Sequence, residues 1–160
     1  MDPLLSLLKE NARATDDDLA RQLNTTRDAV REKISAYQKS GVICAFQALI
    51  NEERIADANE VNAVIELKVR PEREGGFDRI SQRIARFPEV EALYLVSGGF
   101  DLLLFVRGRS LQEVANFVSA KLAPLDGVRS TATHFMLKTY KRLGVMMEKE
   151  ERDERLKIAP

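Results

Sequence analysis

Apolar residues recur at helical spacing through the first forty positions, and at alternate positions through much of the remaining chain. Asp2 before Pro3 marks a helix start, with Leu4, Leu5 and Leu8 on one face. Thr15, with Asp18 three residues on, resembles a capping box with a shorter acid and opens a helix that turns Leu19, Ala20 and Leu23 inward. Asn24 and Thr25 break that helix. Thr25 with Asp28 is predicted to start a third, in which Val30, Ile34 and Tyr37 fall at i, i+4 and i+7. Gly41 stands where a glycine beyond the C-cap ends a helix. Short helices with so brief a break before the last are the helix-turn-helix layout. The β-prone stretch Val42–Leu49 is expected to supply the strands of a wing.

Beyond the polar stretch Asn51–Asn59 the period becomes two. Val61, Ala63, Ile65, Leu67 and Val69 alternate with mostly polar neighbours until Pro71 and Gly75-Gly76. Phe77, Ile80, Ile84 and Phe87 return to helical spacing, and Pro88 stops them. Val90–Val96 and Leu102–Val106 read as strands. Leu111, Val114, Val118 and Leu122 mark another helix capped by Ser110, and Val128–Tyr140 reads as a last long strand. The order β-α-β-β-α-β is the ferredoxin-like pattern, in which two helices cover one face of an antiparallel sheet. The predicted class is therefore α+β, a winged helix-turn-helix head followed by a ferredoxin-like body. Leu102–Val106 is apolar without alternation, which predicts burial on both sides. The chain offers no third layer, so a second copy stacked sheet to sheet is the expected cover.

Between the two middle strands lies Ser97-Gly98-Gly99-Phe100-Asp101. The paired glycines allow a sharp reversal, and Asp101 is a carboxylate where a strand resumes. Such a stretch, taken alone, reads first as a plain hairpin turn and second as a loop that holds a small polar guest on main-chain groups.

Composition narrows the chemistry. The 160 residues carry 25 Lys+Arg against 25 Asp+Glu, so the molecule has no overall basic field and any nucleic-acid contact must be local. A single Cys and a single His leave no internal disulfide and no soft-ligand metal site. Cys44 is expected to be a half-buried small hydrophobe, and His134 a core or interface residue on the last strand. No metal and no cofactor are expected. No run approaches the roughly 20 apolar residues of a membrane span, and no signal peptide opens the chain, which suggests the cytoplasm.

The head, the β-α-β-β-α-β body, LARQLNTTRDAV, Ser40–Ile43 (SGVI), VSGGFD and Gly127–Lys141 (GVRSTATHFMLKTYK) together resemble the Lrp/AsnC family of transcription regulators. The likeness runs over residues 1–145. It implies residues 1–50 as a DNA-binding helix-turn-helix domain, 51–60 as a hinge, 61–141 as the effector-binding and dimerisation domain of the RAM type, and 142–160 as a charged tail. It also implies a non-enzymatic regulator that reads double-stranded DNA and answers to an amino-acid-like effector through assembly of homodimers into tetramers or octamers. Thr25, Thr26, Arg27, Arg31 and Ser35 are the candidate DNA contacts, the arginines for guanine or phosphate and the threonines for phosphate. Ser97, Gly98, Gly99, Phe100 and Asp101 are the candidate effector loop, with Thr131 and Thr133 adding hydroxyls from a neighbouring strand. Asp28 and Glu32 on the third helix, and Gly99 where a polar residue is common, depart from the family pattern. Two other classes compete: a ligand-sensing or protein-interaction module without DNA binding, and a tetrapyrrole decarboxylase like some relatives. For the latter, His134 stands alone with no partner constellation.

Overall fold

The computed structural model describes residues 1–55 and 60–148, in units that meet between Ile50 and Asn51. In the first unit, α1 (Pro3–Glu10), α2 (Asp16–Gln22) and α3 (Arg27–Lys39) start on side-chain caps. Asp2 Oδ1 accepts from the Leu4 amide at 2.9 Å, and Thr15 Oγ1 from the Asp18 amide at 3.1 Å. These satisfy amides that a first helical turn cannot pair internally. Hydrogen bonding from Lys33 holds the Asp2 carboxyl below its ordinary value, and that from Thr15, then Arg21, does the same for Asp18. The cap of α3 is Thr26, not the expected Thr25, and its Oγ1 accepts from the Ala29 amide at 3.2 Å. Thr25 instead donates its amide to Ala20 O at 2.9 Å, so it still belongs to the end of α2. Asn24 takes φ +50 there, the left-handed region that asparagine tolerates. Leu4, Leu8, Leu19, Ala20 and Val30 are buried at the centre of the unit, with Leu23, Ile34 and Tyr37 packed around them. Gly41 takes φ +75 just beyond the end of α3.

Two expectations fail here. Val42–Leu49 forms no strand, for the unit contains no second extended segment to complete a ribbon. Cys44 is exposed, its thiol directed to Gly41 O.

The second unit is the predicted β-α-β-β-α-β body. Its strands are β1 (Val61–Val69), β2 (Val90–Leu95), β3 (Leu102–Gly108) and β4 (Val128–Phe135), antiparallel in the order β2-β3-β1-β4. On one face, α4 (Asp78–Ile84) and α5 (Leu111–Phe117), the latter continued by a π-helical turn Val118–Leu122, bury Ile80, Ile84, Val114, Phe117 and Leu122. These pack on Ala63, Ile65, Leu67, Leu102, Leu104 and Val106, and each large side chain so buried contributes roughly 1.5–3 kcal/mol. Leu111, expected inward, is exposed; Phe117 fills the core instead, edge-on to Phe87 with ring centroids 5.6 Å apart.

The other sheet face has no layer over it among the described residues. It carries Val64 and Glu66 of β1, Ala92 and Tyr94 of β2, Leu103 and Phe105 of β3, and Ala132 and His134 of β4, as the registers require. Leu103 and Phe105 are half-buried, Tyr94 meets Phe105 edge-on at 6.1 Å, and His134 Nε2 lies 3.4 Å from Glu66 Oε1. His134 is therefore not a core residue. At one end of this face Arg107 binds Glu52 at 2.8 Å, Glu60 at 3.1 Å and Glu91 at 2.6 Å.

Both ends of the body differ from expectation. The segment expected as a hinge begins tied down: Asn51 donates to Met147 O at 2.7 Å, Glu52 reaches Arg107, and Glu53 accepts from the Thr139 amide at 3.0 Å. Residues 56–59 lie outside the described residues. The last long strand stops at Phe135, and a hairpin of β5 (Lys141–Arg142) and β6 (Val145–Met146) comes after it. Leu143 and Gly144 turn it at φ +48 and +86, and Met147 is buried, so residues 142–147 are folded rather than tail. The charged run from 149 onward lies outside the described residues.

Candidate functional site

Helix α3 presents its exposed side as a row set by the burial of Val30 and the partial burial of Ile34. Arg27, Asp28, Arg31 and Glu32 are exposed, as are Thr25 and Thr26 ahead of the helix; Ser35 is half-buried. Thr26 spends its hydroxyl oxygen on the cap. Three cations of α3 are already partnered. Arg31 Nε lies 3.2 Å from Asp16 Oδ2, Arg27 Nη1 lies 3.7 Å from Asp17 Oδ2, and Lys33 Nζ lies 2.6 Å from Asp2 Oδ2. Asp16 and Asp17 of α2's first turn, which favour the positive end of that helix, thus also face the candidate recognition helix. Sequence reasoning assigned a role only to Asp18 of this run, in the cap, and missed the contacts of Asp16 and Asp17. The run Thr15-Asp16-Asp17-Asp18 was its only signal, since one acid suffices for the cap.

The second candidate is the loop between β2 and β3. Gly98 takes φ +148, a conformation that suits glycine, whereas Gly99 does not need positive φ; neither glycine has a neighbour within 4 Å of where a Cβ would stand. Asp101 sews the loop to β1. Its amide donates to Leu67 O at 2.9 Å, its Oδ2 accepts from the Val69 amide at 2.9 Å, and its own carbonyl accepts from the Val96 amide at 2.9 Å. The ladder between β1 and β4 shifts register at Lys68/Val69, and the carboxylate takes up the Val69 amide at that irregularity. One carboxylate oxygen is therefore committed to the fold, and Oδ1 accepts no hydrogen bond among the described residues. Among the described residues, the amides of Ser97, Gly98, Gly99 and Phe100 meet no acceptor, and Ser97, Gly98 and Gly99 are exposed.

Thr131 and Thr133 do not join this loop directly. They oppose Leu67 and Ile65 on β4, while the loop leads into β3, which pairs with the other edge of β1. With β1 between them, Thr131 stands about 10 Å from Leu102, twice the strand spacing. Their strand is therefore not the one next to the loop, contrary to the expectation of a neighbouring strand. Sheet order decides it, and spacing along the chain does not reveal sheet order. No cluster of His, Cys, Asp and Glu suited to a metal occurs among the described residues.

Comparison with known proteins bears on both candidates. Residues 62–146 match the Lrp/AsnC ligand binding domain, and residues 4–43 match a winged helix-turn-helix DNA-binding domain. The chain is 41% identical to the HTH-type transcriptional regulator YugG of Bacillus subtilis, over 98% of this chain and 95% of that protein. The leucine response regulatory protein LrpA of Mycobacterium tuberculosis has the same fold, with a TM-score of 0.73 at 22% identity over 92% of this chain and all of that one. A transcriptional regulator of Neisseria meningitidis, solved as a complex with L-Met, aligns with a TM-score of 0.67 at 22% identity over 89% of this chain and 93% of its own. The matched head, the matched body and the near full-length kinship lead to one assignment: the chain belongs to the Lrp/AsnC family of transcriptional regulators.

Proposed function

We propose that this regulator reads double-stranded DNA through α3, with Arg27 and Arg31 as the principal contacts, Thr25 and Thr26 near the helix's positive end, and Ser35 at the far side of the row. The observation that carries the reading is the capped trihelical head, whose third helix keeps Val30 inward and both arginines exposed. Such a helix enters the major groove with its N-terminal residues toward base edges. A bidentate arginine–guanine contact contributes about 1–3 kcal/mol of discrimination. The working unit is a homodimer stacked through the uncovered sheet face, presenting two heads to paired half-sites and associating further into tetramers or octamers. The Ser97–Asp101 loop takes a small zwitterion, its unpaired amides toward the carboxylate and Asp101 Oδ1 toward the ammonium. The L-Met complex of the Neisseria relative supports that class of effector. Such an effector changes DNA binding only by as much as its affinity differs between assembly states. We assign no catalytic role to His134, and we place the protein in the cytoplasm.

Selection of bound fragments from random DNA, followed by mobility-shift titration, tests the core of this reading. Arg31→Ala is expected to weaken binding to the selected sequence by roughly tenfold or more. Unchanged binding would remove α3 from the interface. The paired cations favour one competing reading, a head that docks protein rather than DNA; retention on heparin that falls with salt argues against it.

A further inference from the structure

The cations that α3 would use on DNA already hold carboxylates. We propose that Asp16 and Asp17 act as built-in competitors for phosphate, lowering the affinity of the head for DNA of arbitrary sequence. The inference rests on the reading of α3 as the DNA-facing helix.

Three observations carry it. First, the pairs join different helices: Asp16 and Asp17 in the first turn of α2 reach Arg31 at 3.2 Å and Arg27 at 3.7 Å on α3. Second, these acids are surplus to the helix they start. Asp18 alone receives the Thr15 hydroxyl at 2.6 Å and also pairs with Arg21, completing the cap without its two neighbours. Third, the arginines in these pairs are 54% and 60% exposed in their side chains, so water and polyanions reach them. A carboxylate offers a guanidinium much the same two-oxygen partner as a phosphate. A phosphate contact by Arg27 or Arg31 therefore competes with an aspartate for the same guanidinium and brings that carboxylate close to the DNA backbone. Residues 1–50 carry seven Lys+Arg against seven Asp+Glu, so no surrounding basic field compensates.

The full-length chain and its Asp16→Asn, Asp17→Asn and double variants would be titrated onto a mixed-sequence duplex by fluorescence anisotropy at several salt concentrations. Glu10→Gln, an exposed acid elsewhere in the head, makes the same charge change as either single variant. Each aspartate removed is expected to tighten binding about two- to fivefold, the scale of an exposed ion pair. The double variant is also expected to steepen the salt slope by roughly one to two units. Adding Arg27→Ala and Arg31→Ala to the double variant should erase the gain. Thermal melts check folding, and if the double variant melts early, Asp17→Asn carries the test, since its side chain has no part in the cap. No tightening, or equal tightening by Glu10→Gln, overturns the inference while Arg31-dependent binding of the wild type leaves the DNA reading intact. Folded wild type and double variant that both ignore every duplex would overturn both.

Discussion

Asp101 has two jobs that a single substitution can separate. Its Oδ2 satisfies the Val69 amide at the register shift, and Oδ1 is the group proposed to meet an effector's ammonium. Asp101→Ala leaves the amide of buried Val69 without its partner and is expected to cost about 1–2 kcal/mol in chemical denaturation. Asp101→Asn keeps an acceptor but loses the charge, so it should fold nearly as stably while binding amino acids much more weakly in calorimetry. Equal binding by Asp101→Asn would confine Asp101 to its structural job. The carboxyls of Asp2 and Asp18 make a separate prediction about acid. Both sit below the ordinary value of 3.8, held there first by the Lys33 and Thr15 hydrogen bonds respectively. A depressed folded value means these groups stabilise the head fully above about pH 4, and the contribution disappears as pH falls through their lower folded values. The Asp2→Asn/Asp18→Asn variant should therefore lose less stability than wild type between about pH 4 and pH 2, as followed by circular dichroism melts. A steeper loss in the variant would contradict the assignment.

At the level of elements, capping chemistry and period were legible and boundaries were less so. Asp2-Pro3, Thr15 and Ser110 announce their helices because a side-chain oxygen meeting a backbone amide is a local event. Thr25 and Thr26 were harder to rank, since Thr25 has the acid three residues on, yet its amide is drawn back to close α2. Thr26→Ala is accordingly expected to lower the stability of the head by about 1 kcal/mol, and Thr25→Ala by only a few tenths, in paired thermal melts. The reverse order would return the cap to Thr25. The C-terminal hairpin escaped for a different reason. Leu143 occupies the left-handed region, where leucine is uncommon, so a turn there is hard to read from sequence; Val128–Tyr140 reads as strand and the residues from 142 onward as tail.

For the whole molecule, the decisive feature is a sheet covered on one face only. Leu102, Leu104 and Val106 are fully or almost fully buried beneath the helices, whereas Leu103, Phe105 and Tyr94 face outward with no layer over them among the described residues. Phe105→Glu places a charge at the middle of the proposed sheet-to-sheet contact without touching the helix-side core. Light scattering is expected to show the mass falling to that of a single chain, with little change in the secondary structure of the body. An unchanged dimer would move the interface elsewhere.

What the chain specified by itself was the alternation of periods: helical spacing in the head, strand spacing in the body, and turn chemistry between them. Periodicity is set by backbone geometry within a few residues, so it survives in a linear reading. Only tertiary structure decided what each exposed or apolar group would meet. Asp16 found Arg31, Asp101 found Val69, and Thr131 lay across β1 from the glycine loop. Those partners are distant along the chain or set by sheet order, and local pattern carries no record of either.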